Sequence, residues 1–264
     1  MLPALDGETR VYYVIGDPIA QVKAPAGMTA SFAARGCNAV CVPMHVAAGD
    51  FDAFMQASRH ARNLDGMIVT VPHKITAARH AAELTPRARI AGAVNVLRRR
   101  PDGLWLGDTT DGLSLVAALR HAGCEPRHKR ALLVGAGGAG AAIGAALLDA
   151  GVAELALHSR SAGPLERLLG SLQVHAPAIT VRKSDADPAG FDLVVNASTA
   201  GMRPDDPLPV RAERLAPATF VGDVITAPEV TPLLAAARAR GCPTQTGLGM
   251  VAQAIGLMTG FFLD

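Results

Sequence analysis

The chain has 264 residues, half of them hydrophobic and 18% charged, enough apolar side chain for a substantial core and for two domains of ordinary size. Its formal charge of +2 arises from 25 basic and 23 acidic residues. The two signs are interspersed, so no basic stripe exists to follow a phosphate backbone, and nucleic acid is not an expected partner.

The opening stretch MLPALDGETR has no apolar signal core, and no segment reaches about 18 uninterrupted apolar residues, which leads us to expect a soluble cytoplasmic protein. VYYVIG (11–16), NAVCVPMHV (38–46) and GMIVTV (66–71) read as strands. APAGMTASFAARG (24–36), DFDAFMQASRHAR (50–62) and TAARHAAEL (76–84) space their apolar residues as helices do. Strand and helix alternate, which implies a mostly parallel α/β sheet. AVNVLRR, a PDG turn and LWLGD then read as a hairpin, with Arg98-Arg99-Arg100 as a solvated turn before Pro101. A helix beginning near Asp108 to Asp111 marks the domain junction. After it ALLV, AELALH, TVRK, FDLVVN and FVGDVI alternate with helices as in a doubly wound sheet, and the apolar GMVAQAIGLMTGFF (249–262) closes the chain as a helix packing back on the first domain. The four cysteines, at 37, 41, 124 and 242, have neither a C-x-x-C pair nor the histidine spacing of a zinc site. They are expected as reduced thiols, and no metal is expected.

Two stretches carry chemistry. Gly135, Gly137 and Gly140 fit G-x-G-x-x-G between the strand ALLV and the helix AAIGAALLDA. In such a turn the first glycine permits the bend, the second lets backbone approach a pyrophosphate, and the third lets helix and strand pack closely. A tight turn in any α/β protein is the plain alternative, but the strand-turn-helix context favours a dinucleotide. Where NAD binders carry an acid at the end of the next strand, this chain has Ser159-Arg160-Ser161. A guanidinium there suits a 2′-phosphate, so NADP is favoured, with NAD possible.

The second stretch is Val71-Pro72-His73-Lys74, read as the close of a strand, with Asp111 in GDTTDG (107–112). A lysine near a carboxylate can pass a proton to or from a hydroxyl, its pKa lowered by desolvation and raised by the acid. Taken singly, Lys74 is an ordinary lysine and Asp111 a helix cap. His73 reads as a loop residue or a support behind the site.

Together these stretches make the chain resemble the shikimate dehydrogenase family over nearly its whole length, in seven ordered blocks: GDPIAQVKAP (16–25), GMIVTVPHK (66–74), GAVNV (92–96), GDTTDG (107–112), GAGGAG (135–140), DLVVNASTAGM (192–202) and GLGMVAQA (247–254). The resemblance implies an N-terminal α/β substrate domain, residues 1–110 completed by 246–264, and a Rossmann-like NADP domain, residues 111–245. It maps Lys74 onto the family's catalytic lysine and Asp111 onto its partner. For the substrate it implies Thr70, Asn95 on a ring hydroxyl, Gln253, Lys23 and Gln21. For the cofactor it implies Gly135, Ala136, Gly137, Gly138, Ala139, Gly140, Ser159, Arg160, Ser161, Asn196, Ala197, Ser198 and Gly249.

The departures gather in one place. The family's first loop usually reads His-Ser-Lys-Ser-Pro, with both hydroxyls on the substrate carboxylate; here it is Gln21-Val22-Lys23-Ala24-Pro25. A tyrosine that joins them is replaced by Thr226, and an asparagine by Ile68. The expectation is an NADP-dependent dehydrogenase that interconverts a ring hydroxyl and ketone: shikimate by resemblance, or a related cyclic polyol given the altered anchor. The expected partners are small cyclic molecules and, through a sheet edge, a second copy in a homodimer. A dinucleotide-binding sensor without turnover is the alternative of another class, and a retained proton-transfer pair weighs against it.

Overall fold

The computed structural model describes residues 5–203 and 205–264, so residues 1–4 at the head of the N-terminal stretch read above lie outside the described residues. It divides into two compact units, one running to Thr110 and taking in Ala254–Asp264, the other Asp111–Gln253.

The first unit holds strands β1 (Arg10–Gly16), β2 (Ala39–His45), β3 (Leu64–Val69), β4 (Glu83–Leu84), β5 (Val96–Arg99) and β6 (Trp105–Asp108), in the order β2-β1-β3-β5-β6-β4. Strand β1 pairs in parallel with β2 and β3, whereas β5 runs antiparallel to both β3 and β6. Period-two alternation sends successive residues to opposite faces, and both faces are covered. Tyr12, Val14, Ile68 and Val96 meet Met28 and Phe32 of helix α1 (Ala24–Ala34) together with Met258 and Phe262. Ile15, Met67, Val69 and Leu97 face the other way, onto Phe51 and Met55 of α2 (Phe51–Ser58), Ala77 of α3 (Lys74–His80) and Ala88 of α4 (Pro86–Ala91).

Three local readings are corrected by this unit. Lys74 does not close a strand: β3 ends at Val69, and Lys74 is the first residue of α3. The helix expected through residue 84 stops at His80, because Glu83–Leu84 pair in parallel with β6. The arginine run is no solvated turn. Arg98 and Arg99 belong to β5, with Arg98 lying 5.2 Å from the Phe261 ring centroid and donating to the Phe261 carbonyl at 3.0 Å. The Arg99 guanidinium sits 4.6 Å above the Trp105 ring and donates to the carbonyls of Leu64 (2.7 Å), Ser58 (2.9 Å), Arg59, Ala61 and Gly103 (3.2 Å each). An arginine that ties two loops to a strand in this way is a structural clamp.

The second unit begins with α5 (Asp111–His121) and contains β7 (Arg130–Val134), α6 (Gly138–Asp149), β8 (Glu154–His158), α7 (Ala162–His175), β9 (Thr180–Lys183), β10 (Leu193–Asn196), β11 (Phe220–Asp223), α8 (Pro232–Ala239), β12 (Thr244–Gln245) and the first part of α9 (Gly247–Leu263). Its sheet is wholly parallel, in the order β9-β8-β7-β10-β11-β12. Counted from β7 this is 3-2-1-4-5-6, the Rossmann order, and the direction of winding reverses between β7 and β10. Gly112, the second residue of α5, lies so close to α6 that a Cβ there would stand 2.2 Å from the Ala142 carbonyl oxygen, which explains the glycine that ends GDTTDG. All four cysteines are free thiols; Cys37 is half-buried and the other three are buried. No helix of the described residues is long and apolar enough to cross a membrane.

Candidate active site

In the second unit the glycine turn and the Asn196–Ser198 segment come together at the switch point. Val134, Asn196 and Asp223 end three neighbouring strands in register. The Gly135 N–H donates to His158 O of β8 at 2.8 Å, and the Ala197 N–H donates to Val134 O at 2.7 Å, so the ends of β8, β7 and β10 are laced by backbone. Gly135 adopts φ +114°, and a Cβ there would meet Ala197 and Ser198 backbone atoms at 2.7–2.9 Å. A Cβ at Gly140 would stand 2.0 Å from Gly135 O. These two glycines are demanded by the protein's own packing. Gly137 is not: it caps α6 with extended backbone, and a Cβ on it would meet no atom within 4 Å. That open position, at the N-terminus of a 12-residue helix with its unpaired N–H groups, fits the pyrophosphate of a dinucleotide. Ala136, Gly138 and Ala139 complete the turn and are half-buried.

Arg160, just past β8, is exposed and makes no ion pair among the described residues. Ser159 accepts from the Ser161 N–H at 3.3 Å, which shapes the entry into α7. Gly249 donates its N–H to Thr246 Oγ1 at 3.3 Å in the first turn of α9. Gln253 is half-buried one residue before the segment of α9 grouped with the first unit.

Asn196 organises the loop that follows β10. It is fully buried: its amide donates to Ala200 O (3.1 Å) and to the Asp223 carboxylate (3.2 and 3.3 Å), while its Oδ1 accepts from the Ser198 N–H (3.1 Å) and hydroxyl (2.7 Å). The amide therefore shapes the loop that bears Ala197 and Ser198. Asp223 and Thr231, which complete this network, escaped the sequence reading. The one available signal was an acid ending the apolar run FVGD, followed by the Thr-Pro start of a helix. Burial pushes the Asp223 carboxyl above the usual carboxylate range, against hydrogen bonds from Ile225, Thr231 and Asn196 that favour its charged form.

In the first unit, backbone hydrogen bonds gather Thr70, Lys74 and Asn95. The Val94 N–H donates to Lys74 O (3.0 Å), the Val69 N–H to Asn95 O (2.7 Å), and the Asn95 N–H to Asp108 O (3.0 Å). Thr70 is half-buried with its methyl against Gly16, where a Cβ would stand 2.5 Å from it. His73 caps α3 from inside: its ring stacks on Phe51 at 4.3 Å, and its Nε2 bonds the Val46 carbonyl at 2.7 Å. It supports the start of the helix that begins with Lys74. Asn95 is buried, and its amide braces the segment leading to Asp111: Oδ1 accepts from the Thr110 N–H at 2.8 Å, and Nδ2 donates to Thr110 Oγ1 at 3.1 Å. Asp108, fully buried, is held by Arg87 and Thr85 and accepts from the Thr109 N–H at 2.7 Å. Asp111 follows as the buried first residue of α5.

Gln21 and Lys23 lie on the loop before α1. The Gln21 amide donates to Pro18 O at 2.7 Å, and Lys23 is exposed at the α1 N-cap. Val22 and Ala24 pack against the apolar cluster that contains Ile68.

Comparison with known proteins shows what this arrangement belongs to. The family model for the shikimate dehydrogenase substrate binding domain matches residues 14–97, which include Gln21, Lys23, Thr70, Lys74 and Asn95. The shikimate dehydrogenase (NADP(+)) of Rubrobacter xylanophilus is 39% identical over 250 residues, covering 93% of this chain and 88% of its own. The chain belongs to the shikimate dehydrogenase family. Among solved structures, a shikimate dehydrogenase in complex with NADP+ superposes with a TM-score of 0.88 at 27% identity, covering 98% of this chain and 92% of its own. The ligand-free 5-ketofructose reductase of Gluconobacter sp. strain CHM43 superposes with a TM-score of 0.82 at 28% identity, covering 97% and 93%. Members of one shikimate dehydrogenase-like architecture thus carry names for a ring hydroxy acid and for a keto sugar.

Proposed function

We propose that this member of the shikimate dehydrogenase family is an NADP-dependent oxidoreductase that interconverts a ring hydroxyl and its ketone, with shikimate and 3-dehydroshikimate as the first substrate pair to test. The observation that carries the reading is the 39% identity over 250 residues to a shikimate dehydrogenase (NADP(+)), a span that includes both the Lys74 stretch and the glycine turn. Residues 1–110 with the closing helix bind the ring, and residues 111–245 bind the dinucleotide. NADP, when bound, supplies or takes up the hydride. Lys74 Nζ exchanges the proton of the reacting oxygen, and the Asp111 carboxylate favours the charged ammonium and orients it. Thr70, Asn95 and Gln253 hold ring hydroxyls. Arg160, flanked by Ser159 and Ser161, takes the 2′-phosphate. The setting is cytoplasmic, and the working form is a homodimer that engages no nucleic acid.

A second reading is favoured by one specific observation: Val22, Ala24 and Ile68, where the family's carboxylate donors stand, are apolar and packed into or against one hydrophobic cluster. A carboxylate beside them would lose hydrogen bonds worth a few kcal/mol, or about a hundredfold in affinity. A ring without a carboxylate, such as the keto sugar named for the Gluconobacter neighbour, meets no such cost.

The test is to follow absorbance of the reduced cofactor with NADP⁺ or NAD⁺ against shikimate, quinate and carboxylate-free cyclic polyols. Rapid oxidation of shikimate with NADP⁺ supports the first reading, and preference for a carboxylate-free ring supports the second. Lys74→Met should cut turnover by about 10²–10⁴ while leaving NADP⁺ affinity intact, as expected for loss of a general acid–base. A protein that binds NADP⁺ tightly yet turns over none of these compounds is a sensor.

A further inference from the structure

The buried network beneath the switch point points to a residue that acts on the cofactor without touching it. Asp223 ends β11 with no exposed surface, and its hydrogen-bond partners are neutral donors: the Thr231 hydroxyl at 2.8 Å, the Ile225 N–H at 3.0 Å and the Asn196 amide at 3.2 and 3.3 Å. Thr231 is itself fixed, because its hydroxyl also accepts from the Leu234 N–H at 3.3 Å as the N-cap of α8. From Asp223 the chain of bonds runs through the Asn196 amide to Ser198 N–H and Oγ, and Ser198 Oγ accepts from the Ala200 N–H at 3.2 Å. The loop so held is the one whose Ala197 and Ser198 backbone lies against Gly135.

A carboxylate with three neutral donors turned on it, the Thr231 hydroxyl, the Ile225 N–H and the Asn196 amide, can hold Asn196 in only one sense: the amide nitrogen toward Asp223 and the oxygen toward Ser198. An asparagine at 223 offers a single acceptor oxygen and turns an NH₂ toward donors, which removes that constraint. In a doubly wound sheet each half holds one mononucleotide. The half that starts with the glycine turn and reads the ribose 2′ group takes the adenosine side, so the other half takes the nicotinamide side. Arg160 follows β8 in the first half, and the loop 196–200 follows β10 in the second.

We propose that Asp223 is a positioning residue for the nicotinamide half of the bound dinucleotide, acting through Asn196 and Ser198 on the loop against Gly135. This rests on the dinucleotide reading above. The experiment measures dissociation constants for NADP⁺ and for adenosine 2′,5′-bisphosphate, which carries only the adenosine half, by titration calorimetry well below the melting temperature. Asp223→Asn should raise the NADP⁺ constant about tenfold or more and leave that of the bisphosphate within twofold. Thr231→Val should act in the same direction, and Thr231→Ser, which keeps the hydroxyl, should restore the parent value. If Asp223→Asn does not fold, the Thr231 pair carries the test. Equal weakening of both ligands, or of neither, in the folded variants would show a merely structural network and overturn the proposal. A parent protein that binds neither ligand overturns the dinucleotide reading as well, whereas a parent that binds both with unchanged variants overturns this inference alone.

Discussion

Restoring two hydroxyls to the loop before α1, in the double variant Val22→Ser, Ala24→Ser, should turn a poor carboxylate site into a good one. Each hydroxyl that donates to a carboxylate contributes about 1.5–2 kcal/mol, so the pair amounts to about 3–4 kcal/mol, or roughly 10²–10³ in kcat/KM for shikimate. The structure keeps the cost small. Both side chains are only half-buried at the margin of the Tyr12, Phe32 and Phe262 cluster, and Ala24 already begins α1, where serine is tolerated. Losing the Val22 methyls costs about 1 kcal/mol of stability. The assay is initial-rate oxidation with NADP⁺ of shikimate and of the same ring without its carboxylate, so that a change in the hydride-transfer end would show in both and a change in the anchor in shikimate alone. A shikimate kcat/KM within threefold of the parent, in a variant that melts like the parent, refutes the reasoning: the carboxylate would then be held by groups other than those at 22 and 24.

Glycines 137 and 140 should respond in opposite ways to alanine. Gly137→Ala should melt like the parent yet bind NADP⁺ about tenfold or more weakly, since only a ligand contests that space, while Gly140→Ala should lower the melting temperature as well, its Cβ being driven into Gly135 O; calorimetric melting with a binding titration separates them. Arg99→Met should destabilise the first unit by about 4 kcal/mol, from about 1 for the stack on Trp105 and about 1.5 for each of the two shorter hydrogen bonds, with Arg99→Lys falling between; a thermal midpoint within about 2 °C of the parent would contradict the clamp. Burial works to raise the Glu154 carboxyl, but hydrogen bonds from Arg130 and Arg182 outweigh it and hold the pKa low. Its contribution is therefore present above the unfolded value of 4.5 and lost as pH falls through the lowered pKa, so Glu154→Gln should flatten the stability-against-pH curve in that acid window and nowhere near neutrality.

How much of this was legible in the sequence depended on how local the cause was. The glycine turn could be read because part of its requirement is local, the positive φ at Gly135 and the contact of Gly140 with Gly135 O, whereas the approach of Ala197 and Ser198 to Gly135 was not visible along the chain. The hairpin of β5 and β6 was legible for the same reason, through its PDG turn. The arginine run was not, because a charged triplet beside a turn looks solvated until β5 is known to lie between β3 and β6, with Trp105 and the loop carbonyls within reach of Arg99. Asn196 was recognisable by its motif, but its partner Asp223 is 27 residues away and meaningful only once β10 and β11 pair in register. The element bearing Lys74 was misread, since the apolar run GMIVTV continues past the last β3 residues paired with β1 and β5.

Under the proposed function, the same division accounts for a changed anchor beside a retained reacting end. Lys74 and Asn95 are located by backbone hydrogen bonds, Val94 N–H to Lys74 O and Asn95 N–H to Asp108 O, and Asp108 is pinned by Arg87 and Thr85. None of these contacts uses a side chain from the loop before α1. That loop instead leans on the opposite face of the sheet, where Val22 and Ala24 join the cluster of Ile68, Phe32 and Phe262. Apolar residues at 22 and 24 add to packing already present there. Under the proposed function, substrate preference can then drift at positions 22, 24 and 68 without touching the Val94 and Asn95 backbone bonds, and the serine double variant probes that independence directly.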